Sequence, residues 1–364
     1  MNYHGLTKKF QINRPLDEFE IQHQLRVNES SFDKPWGSSY VIKMNSTYLE
    51  CVDKFFLDKG IISGGGVVLV AILIIFYLGT LSIIADRWQG VMRSKEDLYF
   101  MIYLTLLWGG AVIYICFFLR NEMFRYTHYP IRFNRKNRMV YVTRLDGTVM
   151  AESWDKLFFT EGECGGKFAG FGETRDIRGH RLAEDGKTVL ETFALPHYSD
   201  VRAYHRFAVW EFIRRYMEEG PEQLMRRVPM VNDVADRRER FWAGFMHHYE
   251  FIQVHSGEFF ALLSSPVLLL HAVGRWLAIL TSKIPVWSAE VEAACQIDPN
   301  DPYVIDRDHP PKETDRLGNE RLMTDTQKTD AQKAAEHQER AQAILKANDE
   351  YQRRRREEED GLRK

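Results

Sequence analysis

The chain has 364 residues, with 49 Lys and Arg against 51 Asp and Glu, for a formal net charge of −2. That balance gives no global electrostatic footprint for nucleic acid. The four cysteines, Cys51, Cys116, Cys164 and Cys295, lie far apart and share no CxxC spacing, which speaks against a disulfide framework or zinc site and fits a reducing compartment.

Residues 1–59 show no signal-peptide pattern and read as an N-terminal cytoplasmic segment. Two uncharged runs follow, at residues 60–85 and 98–119. At about 1.5 Å per residue they reach roughly 39 and 33 Å, enough for a hydrocarbon core of about 30 Å. Residues 60–119 are therefore predicted to form a transmembrane hairpin whose connector is "DRWQGVMRSKED". Neither run contains Asp, Glu, Lys, Arg or His, which argues for an anchor over an ion pathway. Gly60 and Gly64, with Gly65, Gly66, Gly109 and Gly110, suggest close packing between the two spans. The densities of basic residues flanking the spans are similar. The short connector and the large tail favour two cytoplasmic tails.

The periodicity then changes to two. "PIRFN" and "RMVYVTR" flank a turn at Asn134–Asn137, further strands are expected around Trp154, and "HRLAEDGKTVLETFALP" reads as another hairpin. Residues 130–196 should hold five to seven short strands. A helix over Val201–Glu219, capped by Ser199 or Asp200 and stopped at Gly220-Pro221, carries an apolar stripe too broad for a free surface helix. Strands closed by one helix resemble a pleckstrin-homology-like module over residues 120–220. The basic residues Arg120, Arg125, Arg132, Arg135, Lys136 and Arg138 are the candidate lipid or partner contacts, each worth about 1 kcal/mol near an anionic leaflet. Topology plus a solvated turn is the blander explanation of the same charges.

Residues 221–295 read as helical, with a third apolar segment at 259–282 that is interrupted by Pro266, His271 and Arg275. An Arg near the centre of a span costs roughly 2.5–3.5 kcal/mol. A helix lying in the interface, re-entering it or packed on the hairpin is therefore favoured over a crossing. His247, His248 and His255 lack partnering ligands at metal-binding spacing. Residues 296–364 read as an extended linker and a charged, solvated helical tail.

No phosphate loop, HExxH or GxSxG motif is present, and Cys164 has no clear base, so no enzyme and no cofactor are expected. The fold class expected is an α+β membrane protein: a transmembrane hairpin, an antiparallel β-module closed by a helix, and further helices. The two spans, "PIRFNRKNRMVYV", Trp154 in "SWDKL" and "GRWLAILTSKIPVWSAEVEAACQIDPNDPY" together resemble an uncharacterised family of proteobacterial inner-membrane proteins, often encoded beside type VI secretion spike and effector genes. The resemblance implies a non-enzymatic accessory role: an immunity protein binding a cognate effector, with an effector adaptor or a lipid-binding sensor as alternatives. Membrane lipid and a secretion-locus protein are the partners implied.

Overall fold

A computed structural model describes residues 10–33, 35–37, 40–56, 58–88, 95–120, 122–164, 174–196 and 203–311. The charged tail, the Ser199 and Asp200 caps and most of the glycine-rich loop after Cys164 lie outside the described residues. In chain order the elements are β1 (Arg14–Pro15), α1 (Glu18–Gln22), β2 (Gln24–Leu25), β3 (Val41–Met44), β4 (Tyr48–Cys51), α2 (Ile61–Trp88) and α3 (Lys95–Leu119). They continue with β5 (Ile131–Asn134), β6 (Met139–Thr143), β7 (Val149–Ser153), β8 (Phe158–Cys164), β9 (Thr174–Leu182) and β10 (Thr188–Ala194). Last come α4 (Ala203–Glu218), α5 (Phe241–Ser256), α6 (Glu258–Thr281) and α7 (Ala289–Ala294).

The strands form two five-stranded sheets, β3-β4-β5-β6-β7 and β1-β10-β9-β8-β2, with every neighbour antiparallel. The molecule is thus α+β. Residues 1–59 are not a segment apart. β4 pairs with β5 in register, Tyr48 opposite Asn134 and Cys51 opposite Ile131, so the α2–α3 pair is inserted between two adjacent strands. The segment after α7 is likewise more than a linker, because Ile305 bridges Met44 at the β3 edge.

α4 closes the space between the sheets. Trp210, Phe212, Ile213 and Tyr216 on its inner face are all fully buried. Trp210 stacks on Trp154 at 5.8 Å between centroids and meets Phe159 at 4.7 Å. The Trp154 indole N–H donates to Glu218 on the same helix at 2.7 Å, so the ring is buried without an orphaned donor. The broad stripe on α4 has its explanation here: Trp154, between β7 and β8, and Phe159 of β8 pack against it.

Among the described residues, three helices are long and apolar enough to cross a membrane: Ile61–Ser82, Ile102–Leu119 and Glu258–Thr281. α2 and α3 pack side by side, with Phe76 stacked on Trp108 and Gly66 against Leu119 and Ile115. Gly60 and Gly64 face elsewhere. A Cβ on Gly64 would meet Leu270 and His271 of α6, and one on Gly60 would meet Arg275. The close glycine approach expected between the two spans is therefore made mainly with α6. Gly65, Gly109 and Gly110 face open space.

Candidate functional site at the junction of the sheets and the long helices

The stretch between β4 and α2, "CVDKFFLDKG", places alternating acids and bases immediately before an apolar run. In the fold, these side chains collect where the sheets meet the long helices. The Asp53 carboxylate accepts from the Tyr129 N–H at 2.7 Å and the Phe55 N–H at 3.0 Å. Lys54 donates to Asp176 of β9 at 2.7 Å, with both side chains buried, and Arg178 donates to the other oxygen of that acid at 2.7 Å. Lys59 donates to the Tyr126 carbonyl at 2.6 Å.

Glu122, just past α3, sits at the N-terminus of α2. Its carboxylate accepts from the backbone N–H of Gly60, Ile62 and Ser63 and from the Ser63 hydroxyl at 2.7–3.3 Å. A helix N-terminus has donors without intrahelical partners and a positive dipole end, so an acid there satisfies both.

Arg275 completes the junction from α6. It is 2 % exposed. Its guanidinium pairs with Glu239 at 2.7–2.8 Å, donates to the carbonyls of Phe56 and Lys59 at 2.5 and 3.1 Å, and lies 4.5 Å from the Phe56 ring centroid. The residue that argued against a crossing at 259–282 is level with the start of α2, where polar backbone and acids receive it.

Burial shifts the titrations here. It raises Asp58 to about 6 against the pull of Lys54 and Arg275, lowers Lys59 to about 8, and pushes His128 down to about 3 with help from the Lys59 charge. Asp53 is also raised by burial. The network ties the helices to both sheets.

The six basic residues expected to contact lipid or a partner do not share one surface. Arg132 is buried, paired with Glu50 at 2.8 Å and Glu292 at 3.2 Å, with Tyr48 and Trp287 at 4.3 and 4.8 Å from its guanidinium. A side chain so enclosed does not reach a lipid surface, and it instead clamps the α7 segment onto the sheet. Lys136 pairs with Asp298 at 2.5 Å, and Arg138 with Asp155 and Glu218. Arg135 is half-buried beside Gly220. The turn that carries these three follows Asn134, at the end of β5 opposite to the one joined to the helices. Arg120 and Arg125 are exposed next to the end of α3.

A cavity of about 470 Å³ lies at the other sheet, lined among others by Phe10, Arg14, Phe19, Glu20, Glu163 and Arg178. Arg14 binds Glu20 through both terminal nitrogens at 2.7 and 2.5 Å. Burial alone would raise the Glu20 acid, but Arg14 and His180 outweigh it and hold it well below the usual carboxylate range. Arg14 is thus held on Glu20, while Arg178 shares Asp176 with Lys54. Among the described residues, no group of three or more His, Cys, Asp and Glu is placed to hold a metal ion. His248 lies 4.3 Å from His271 between ring centroids and bonds the Gly244 carbonyl.

Residues 110–299, a little over half of the chain, match the model of a protein family described as a family of unknown function, DUF6708. The chain belongs to this family. The DUF6708 match begins within α3 and takes in β5 to β10 and α4 to α7, while β1 to β4, α1 and α2 precede it. No curated protein and no solved structure matches the chain.

Sequence reasoning missed the junction. The signal present was the run of acids and bases before the first apolar run, together with a lone Arg in an apolar helix. Nothing local joined Glu122 to Gly60 or Arg275 to Phe56, because those contacts depend on how α2 and α6 pack.

Proposed function

We propose that this DUF6708 protein is a non-enzymatic, membrane-anchored interaction protein of the bacterial inner membrane. α2 and α3 cross the bilayer as a hairpin, and the sheets with α4 form a pleckstrin-homology-like module on the cytoplasmic side. Its task is immunity: it neutralises a cognate type VI effector by binding it at or below the membrane. The observation that carries this reading is the insertion of the hairpin between the paired strands β4 and β5. An anchor joined to the sheet at two neighbouring points holds a binding module in fixed orientation at the membrane surface, where an effector acting on the inner membrane would arrive. The type VI setting comes from the family resemblance alone.

A competition assay tests it. Deleting the gene beside an intact neighbouring effector gene should leave cells killed by their sisters, and expression from a plasmid should restore survival. A deletion strain that survives but no longer intoxicates others would mark an effector adaptor. A strain with neither defect would overturn the secretion reading altogether.

A further inference from the structure

α5 and α6 form a second helical pair, joined at Gly257, whose φ of +92° allows an abrupt reversal. Gly244 lies against Arg275 and His248 against His271, so the helices run antiparallel. α6 also runs antiparallel to α2, with Gly60 against Arg275 and Gly64 against His271. α6 is therefore sandwiched between α2 and α5, and its buried positions Ala261, Leu268, Ala272, Arg275 and Ile279 recur at helical spacing. Its other face is apolar and open: Phe259, Leu262, Leu263 and Val267 are 65–71 % exposed.

Both ends of this pair are tied to the sheet region. Before α5, the Asn232 N–H donates to the Val41 carbonyl of β3, and Arg238 donates to the carbonyls of Ile279 and Ser282. After α6, Lys283 exchanges backbone hydrogen bonds with Arg125 and Thr127. The chain thus leaves the junction and returns to it. Measured from the shared level of Gly60 and Arg275, α6 rises about 26 Å to Glu258, whereas α2 rises about 42 Å to Trp88. A hydrocarbon core is about 30 Å thick.

We infer that α5 and α6 form a re-entrant hairpin that enters the bilayer from the side of the sheets, turns within it at Gly257 and leaves on the same side, with the open face of α6 covered by lipid acyl chains. The occupant follows from continuity. The exposed apolar face of α6 lies at the same level as that of α2, and the charged side chains around Arg275 lie at its base. α6, long enough to cross, then adds no crossing, and the chain on either side of it stays in one compartment. This inference rests on the proposal that α2 and α3 cross a membrane.

The test uses the full chain, with Cys116→Ser and Cys164→Ser, in phosphatidylcholine–phosphatidylglycerol vesicles. A fluorophore is placed at Val267→Cys, about 12 Å above Arg275, or at Ile75→Cys of α2 as the control. Quenching of both by a nitroxide carried mid-way along the lipid chain is the expected result. If Ile75→Cys is quenched but Val267→Cys responds only to aqueous iodide, the re-entrant hairpin is overturned while the anchor stands. If neither is quenched by lipid, the anchor itself fails. Membrane-impermeant maleimide should label Asp236→Cys and Asp308→Cys from the same side. Labelling from opposite sides, or of Glu258→Cys from the side of the α2–α3 connector, would replace re-entry by a crossing.

Discussion

Replacing Arg275 with alanine removes a guanidinium that pairs with Glu239, caps the carbonyls of Phe56 and Lys59 and covers the Phe56 ring. Breaking a buried ion pair from one side typically costs about 3–5 kcal/mol, because the other charge is left without its partner. Each buried carbonyl that loses its donor adds on the order of 1–3 kcal/mol, though such losses are not additive. A destabilisation of about 4 kcal/mol is expected, or on the order of 10 °C in Tm. The assay is thermal unfolding of the detergent-solubilised chain followed by near-ultraviolet dichroism. Arg275→Lys should fall between wild type and alanine, because it keeps the charge but not the planar fork. In the double variant Arg275→Met/Glu239→Leu, much of the loss should return, since no charge remains stranded. If Arg275→Ala lies within about 0.5 kcal/mol of wild type, the size of an ordinary surface substitution, the junction does not hold the helices to the sheets.

Gly274→Leu should detach α6 from α2, because even a Cβ there would fall on the Gly64 backbone; Gly109→Ala, facing open space, is the matched control, and cysteine cross-linking of the two helices reads the difference. Asp58 gives a pH signature. Its folded pKa of about 6 lies above the ordinary 3.8, so its favourable contribution is complete below about pH 4 and is lost as pH rises through 6. Asp58→Asn should therefore stabilise the chain at pH 7.5, by up to about 3 kcal/mol, and the gain should vanish at pH 4; an equal gain at both values would contradict the assignment. Trp154→Ala should cost about 3–5 kcal/mol and abolish the near-ultraviolet signal of the stacked indoles, as measured by urea unfolding. Arg135→Glu with Lys136→Glu should leave binding to anionic vesicles unchanged in flotation assays, because their turn lies at the end of β5 away from the helices.

The hairpin flanking Asn134–Asn137, the strands on either side of Trp154, the hairpin around Gly186 and the core-facing α4 were all legible in the sequence. Each rests on a local period or turn signal that survives packing. The first apolar run was legible for the same reason, and Gly66 does meet the second run, although Gly60 and Gly64 were assigned to the wrong neighbour: GxxxG states that a backbone approaches closely but not which one. β3 and β4 were overlooked because "YVIKMNSTYLEC" is short and its pairing partner, β5, lies some 80 residues away across two apolar helices. Arg132 shows the converse difficulty. In a basic run after a span it reads as a topology signal, yet Glu50 from β4 and Trp287 from beyond α6 enclose it. The acids that neutralise Lys136 and Arg138 also come from remote parts of the chain, so the charge of the turn could not be judged from the turn alone.

The N-terminal strands and the β-module are one folded body, with the α2–α3 helices inserted between β4 and β5. Hydrogen exchange of the full chain in lipid nanodiscs tests this directly. Amides of residues 48–51 should be protected to the same degree as those of 131–134, and both should lose protection together as denaturant is added. Rapid exchange across 41–51 while 131–143 stays protected would contradict it, and would leave the anchor tethered to the sheet by a single strand.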